Sequence, residues 1–264
     1  MHQALLWATA GTLFTYLMTT LGSATVFFFR NSIPDKVQRA FLGFAAGVMI
    51  SASAWGLLSP AIEEAEAMGV PGYLPAAGGF ILGVSFLLAL DYILPHLHAG
   101  ADTPECAQTK LKRSTLLMLA VTLHNIPEGM AVGLSFALAA QHSADPSAVA
   151  GAMALAIGIG IQNFPEGAAM SLPLRQDGVS AKRAFLMGSL SGIVEPIFGI
   201  AVVMISAAIA PYMPWMLSFA AGAMMYVVVE ELIPEAHLGD HSNLGTLSVM
   251  VGFVLMMVLD VALG

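Results

Sequence analysis

The 264-residue chain is 58% hydrophobic and 10% charged, carries a formal net charge of −8, and contains 26 glycines and one cysteine. That balance excludes an ordinary soluble domain; the lone Cys106 excludes an internal disulfide framework, and the negative charge gives no support for nucleic-acid binding. What remains is an all-α membrane protein held together by helix packing, with the glycines allowing close backbone approach.

Crossing roughly 30 Å of hydrocarbon takes about 20 apolar residues. Eight runs meet that length, at residues 5–29, 37–62, 74–94, 114–140, 147–174, 184–210, 214–232 and 245–262. The first is too long for a signal peptide and lacks a basic leader and a convincing cleavage site, so it is read as a retained helix. The second holds Met49, whose thioether suits a soft or borderline metal, and ends on Glu63, Glu64 and Glu66. That run of acids is either a solvated helix end or a device that concentrates cations. Asp91 lies near the end of the third run, where it either pairs with a partner or lines an exit. Lys and Arg in short loops stay on the cytoplasmic side of a membrane. Arg30, Lys36 and Arg39 flank the loop after the first run, Lys110, Lys112 and Arg113 lie after the third, and Arg175, Lys182 and Arg183 after the fifth. These are all nine basic residues. Eight transmembrane helices with both termini outside put every one of them on the inside.

The fourth and fifth runs share one phrase, His124-Asn125-Ile126-Pro127-Glu128-Gly129 and Gln162-Asn163-Phe164-Pro165-Glu166-Gly167. Helical spacing sets His124 over Glu128 and Gln162 over Glu166. A carboxylate in hydrocarbon costs several kcal/mol or more unless it faces a cavity, a partner or an ion. Proline lacks the N–H that would bond the carbonyl four residues back, so Pro127 frees Leu123 and Pro165 frees Ile161. Imidazole and carboxylate on one face make half of a transition-metal site. The two helices run antiparallel, the pattern of an inverted pair meeting at a central site. The sixth run adds Glu195-Pro196, which is expected to free the carbonyl of Gly192. The seventh adds Glu230 and Glu231 near its inner end, where they either snorkel to water or touch a passing ion.

Two inner loops hold the rest of the candidate ligands. His96, His98, Asp102, Glu105 and Cys106 follow the third run, and Glu235, His237, Asp240 and His241 follow the seventh. They are exit or sensing positions for metal, or plain solvated loops; they are too scattered for a closed structural zinc site.

Taken together these residues resemble the ZIP (Zrt-, Irt-like protein) family of divalent metal transporters, most closely its bacterial GufA-like branch. The resemblance runs over nearly the whole chain and rests on the doubled Pro-Glu-Gly phrase, the Glu-Pro pair and the stretch Glu230 to Glu235. It implies one ZIP-type domain over residues 1–264, an inverted-repeat bundle in the cytoplasmic membrane, and import of zinc, iron, manganese or cadmium by an elevator-like movement. It further implies a first site of Met49, His124, Glu128, Gln162, Asn163 and Glu166. A second site takes Asn125, Glu128, Asn163, Glu166 and Glu195, with Glu63 and Asp260 at the entrance. The metal is cargo, no resident cofactor is expected, and the partners are divalent ions, the lipid bilayer and, on family grounds alone, a second copy of the chain. Where many relatives carry histidine or aspartate, Gln162 and Asn163 are neutral. That leaves three acids for up to two ions, so a weak second ion and a shift toward iron or manganese are expected.

Two alternatives stay open on the residues alone, and a third lacks its signature. A channel-like conduit would use the same ligands, a proton-coupled permease for a non-metal substrate would use the acids as a relay, and an intramembrane metalloenzyme would need two histidines flanking a glutamate, which the chain lacks.

Overall fold

A computed structural model describes residues 2–29, 34–93, 113–142, 145–237 and 243–263, and every regular element among them is helical. In order these are α1 (His2–Ser23) with a 3-10 turn (Ala24–Phe27), α2 (Asp35–Ser51), α3 (Ser59–Ala67), α4 (Tyr73–Ile93), α5 (Arg113–Gln141), α6 (Pro146–Gln176), α7 (Ala181–Ser191), α8 (Val194–Ile205), α9 (Met213–Val227), α10 (Ile233–Ala236) and α11 (Leu244–Leu263). A π-helical stretch, Ala52–Leu58, joins α2 to α3 without a break, and a second, Val228–Leu232, joins α9 to α10. Among the described residues, seven helical stretches are long and apolar enough to cross a membrane. The expected fourth run is α5, 29 residues of continuous helix through Pro127.

Local chemistry sets the ends. Asp145 caps α6 by accepting bonds from the Ser147 N–H and hydroxyl at 2.9 and 2.7 Å. Those two donors hold its carboxyl below the usual aspartate range. Gly69 and Gly178, with φ of 76° and 83°, end α3 and α6. Each is followed by a valine N–H bonded back to a carbonyl five residues earlier, Val70 to Ala65 and Val179 to Leu174, the closing bond of a left-handed helix cap. The sixth run departs from expectation. It is two helices broken at Gly192 and Ile193, and the Gly192 carbonyl is not free, because the Glu195 N–H bonds it at 3.1 Å. Proline removes the four-residue bond, and the chain tightens to a three-residue one in its place.

The helices form two groups. In the first, α1 lies along α6 and α5 along α8, with α7 beside them; in the second, α2 lies along α11 and α4 along α9. Glycines set these pairings. Gly22 meets the Phe164 carbonyl while Gly167 meets that of Thr19, and Gly47 meets the Val249 carbonyl while Gly252 meets that of Phe44. A β carbon at any of the four would overlap main chain. Between the groups the contacts are thinner, with α5 on α9 and α6 on α2 and α11. Here Gly56 faces the Leu155 side chain and Gly158 the Met256 side chain, so the seam is lined by atoms that can give way.

Candidate functional site

The two Pro-Glu-Gly phrases meet where the groups face each other. Met49, His124, Glu128, Glu166 and Glu231 line one cavity, which extends past Ala120, Met170 and Pro173 to Gln38 and Glu235. It therefore opens at the end of the molecule that carries Lys36, Arg39 and Arg175. Its volume of about 70 Å³ is enough for an ion with a few waters, since one water needs roughly 10–15 Å³ by the same measure. His124, Glu128 and Met49 are each less than 8% exposed. The glycine of the first phrase explains the closeness of α8, because a β carbon on Gly129 would stand 2.5 Å from the Glu195 Cα.

Behind the cavity lies a buried polar network. The Asn163 amide donates to Glu195 Oε2 at 2.9 Å and to the Thr15 carbonyl at 3.3 Å, the Thr19 hydroxyl donates to Glu195 Oε1 at 3.3 Å, and the Gln162 amide donates to Asn163 Oδ1 at 2.6 Å. At the cavity itself His124 Nε2 stands 2.8 Å from Glu231 Oε1. Four further atoms, both amide atoms of Asn125, Glu128 Oε2 and Gln162 Oε1, are buried with no hydrogen-bond partner in the protein. Each such orphan costs about 1–3 kcal/mol. Among the described residues no three His, Cys, Asp or Glu side chains stand at the spacing of a closed ligand shell, and partners within the protein hold Glu195 and His124.

Comparison with known proteins fixes the family. A family model described as ZIP zinc transporter matches residues 100–260. Zinc transporter ZIP11 of Homo sapiens is 38% identical over 100% of this chain and 99% of its own length. The chain belongs to the ZIP family. Zinc transporter GufA of Myxococcus xanthus is 39% identical over 89% of this chain and 90% of its own, and zinc transporter ZIPB of Bordetella bronchiseptica is 40% identical over 94% and 79%. ZIP membership with seven apolar helical stretches makes this a multi-pass membrane protein, and the family is one of transporters rather than enzymes.

The remaining candidates of this ZIP chain divide. Glu231 is buried at the cavity while Glu230 is exposed. Asp91 accepts a 2.5 Å bond from the Tyr226 hydroxyl, which ties α4 to α9. His237 is spent on the fold, with Nδ1 2.8 Å from the Ile233 carbonyl and Nε2 3.0 Å from the Thr246 hydroxyl. Glu63 and Asp260 line a second cavity at the opposite end, with Glu64, His142 and Asp145. His96, His98, Asp102, Glu105, Cys106, Asp240 and His241 lie outside the described residues. The threonines of α1 and His142 were not singled out from sequence. The Thr12, Thr15 and Thr19 series was visible as polar residues at helical spacing in an apolar run, and it marks the face toward Glu195.

Proposed function

We propose that this ZIP protein carries divalent transition-metal cations, zinc foremost, across the cytoplasmic membrane into the cytoplasm. It does so as one eight-span domain with both termini outside. The observation that carries the reading is the gathering of His124, Glu128, Glu166 and Met49 on one cavity beside four orphaned polar atoms, in helices otherwise built of apolar residues. A dication recovers the cost of those groups, and nitrogen, oxygen and thioether donors together suit zinc and its neighbours. The names of the relatives, all zinc transporters, support the same cargo.

In this reading the first ion is held by Met49, His124, Glu128 and Glu166, with Gln162 and Asn163 as neutral oxygen donors. To bind it, His124 gives up Glu231, which then stands on the inner side as the next carboxylate on the way out. A second ion bridged by Glu128 and Glu166 and completed by Asn125, Asn163 and Glu195 has to break the bond from the Asn163 amide to Glu195, so it binds more weakly. The two helix groups support alternating access of the elevator kind. Each is locked internally by glycine against main chain, while at the seam Gly56 and Gly158 meet the yielding side chains of Leu155 and Met256. The positively charged end, where the cavity opens, faces the cytoplasm.

The test is radiometal uptake into proteoliposomes holding the intact chain, beside Glu128→Ala and Glu166→Ala. Saturable zinc uptake that falls by at least tenfold in both variants is expected. Equal uptake in variants and parent, or none in folded parent protein, overturns the proposal.

A further inference from the structure

The cavity that opens at the basic end is closed off from the other end by apolar packing. On each of four helical stretches, apolar residues between the two cavities are fully buried in one hydrophobic cluster: Ala52 after Met49, Leu134 after Glu128, Leu155 and Ile159 before Glu166, and Met224 before Val227. Apolar contact of this kind carries no direction, and it slides as readily as it seals. Something else has to set how far the two groups stand apart at the closed end.

Two polar contacts across the seam involve histidines at or near α5. One is His124 to Glu231 at the open cavity. The other is at the closed end, where His142, in the turn after α5, sets Nε2 2.9 Å from Glu64 Oε2 on α3. His142 belongs to the first helix group and Glu64 to the second. The imidazole is 48% exposed but the Glu64 side chain only 13%, so the carboxylate is drawn into the joint while the ring covers it. The His142 N–H bonds the Leu138 carbonyl at 3.1 Å and its own carbonyl accepts the Asp145 N–H at 2.8 Å, so the ring stands on a fixed backbone. Asp145, nearby, accepts two bonds from Ser147. Glu63 and Asp260 line the same vestibule.

From this arrangement we infer that Glu64 and His142 form an outer latch. The pair ties the two helix groups at the rim farthest from the open cavity and stabilises the inward-facing arrangement; it breaks when the groups move to admit an ion from outside. Both residues are positioning residues and neither is a ligand of the transported ion. The inference rests on the two-group movement proposed above, and it adds which contact governs its balance. A half-exposed polar contact of this kind shifts an equilibrium by about 1.4-fold to fivefold, a size suited to a latch that must open in every cycle.

The test places a cysteine on the vestibule wall, Ser135→Cys in a Cys106→Ser background, and measures its rate of reaction with a membrane-impermeant maleimide in proteoliposomes. His142→Ala and Glu64→Ala should each raise the rate about twofold to fivefold. The double variant should do no more than either alone, and the swapped pair Glu64→His with His142→Glu should return it to the parent rate. Unchanged rates, additive single effects, or no rescue by the swap overturn the latch. A separate arm joins Glu64→Cys to His142→Cys with a cleavable bifunctional thiol reagent and follows zinc uptake. Uptake that stops on joining and returns on cleavage supports both readings. Full uptake in the joined protein overturns the two-group movement and the latch with it, whereas blocked uptake with unchanged maleimide rates in the alanine variants overturns the latch alone.

Discussion

Replacing Gly129 by alanine tests whether the cavity depends on the approach of α8 to α5. The new β carbon would stand 2.5 Å from the Glu195 Cα and 2.8 Å from its carbonyl carbon. Carbon contacts settle at roughly 3.5–4.0 Å, so α8 has to retreat by about 1 Å. The obstacle is main chain, which no rotamer change can relieve. Overpacking of this kind costs about 1–3 kcal/mol. The same overlap pushes on the α5 backbone at Gly129, next to Glu128, and shifts that ligand relative to Glu166, so zinc affinity should fall by about tenfold, the equivalent of 1.4 kcal/mol. Gly151→Ala is the matched control, because it also lies within a helix but a β carbon there meets nothing within 4 Å. Alanine there should be neutral or stabilising by up to about 1 kcal/mol from helix propensity alone. Thermal unfolding in detergent and isothermal titration with zinc read both quantities. Parent-like stability and affinity in Gly129→Ala, or equal damage from Gly151→Ala, would refute the reasoning.

Other perturbations separate the roles of individual groups. Glu231→Ala removes the partner that holds His124, so zinc should bind more tightly but leave more slowly, lowering both the KM and the maximal rate of uptake; a raised KM contradicts this. Asn163→Asp takes away the amide that donates to Glu195 and sets two carboxylates side by side. The metal-free protein should lose about 1–3 kcal/mol of stability while the stabilisation gained on adding zinc grows, and thermal melts with and without zinc read both. Asp145 has its pKa lowered by its bonds from Ser147, so its contribution is present above the unfolded value, about 3.9, and disappears as pH falls through the lower folded value. The gap in melting temperature between parent and Asp145→Ala should therefore be constant near neutrality and close only in strong acid; a gap that widens on acidification contradicts the capping role.

Much of this molecule is legible in its sequence because hydrocarbon demands long apolar runs. The run read at residues 147–174 is helix Pro146–Gln176, and that at 74–94 is Tyr73–Ile93. The doubled phrase was equally plain, since acids are too costly in such runs to be incidental. What escaped reading depends on breaks in helical phase. A π turn shifts every following residue around the helix axis, so a wheel drawn through Val228–Leu232 cannot tell which of Glu230 and Glu231 faces the cavity. The Gly192 carbonyl was misjudged for the same reason, because an unbroken helix was assumed where the chain tightens ahead of Pro196. The link from His142 to Glu64 joins residues 78 positions apart and has no local signal.

Anomalous diffraction from crystals grown with zinc addresses the account most directly. A peak is expected between Glu128, Glu166 and His124, at about 2.0–2.2 Å from the ligating oxygen and nitrogen atoms, with His124 turned away from Glu231. A fully occupied crystal with zinc only in the vestibule of Glu63 and Asp260, or none between the two Pro-Glu-Gly phrases, would contradict it.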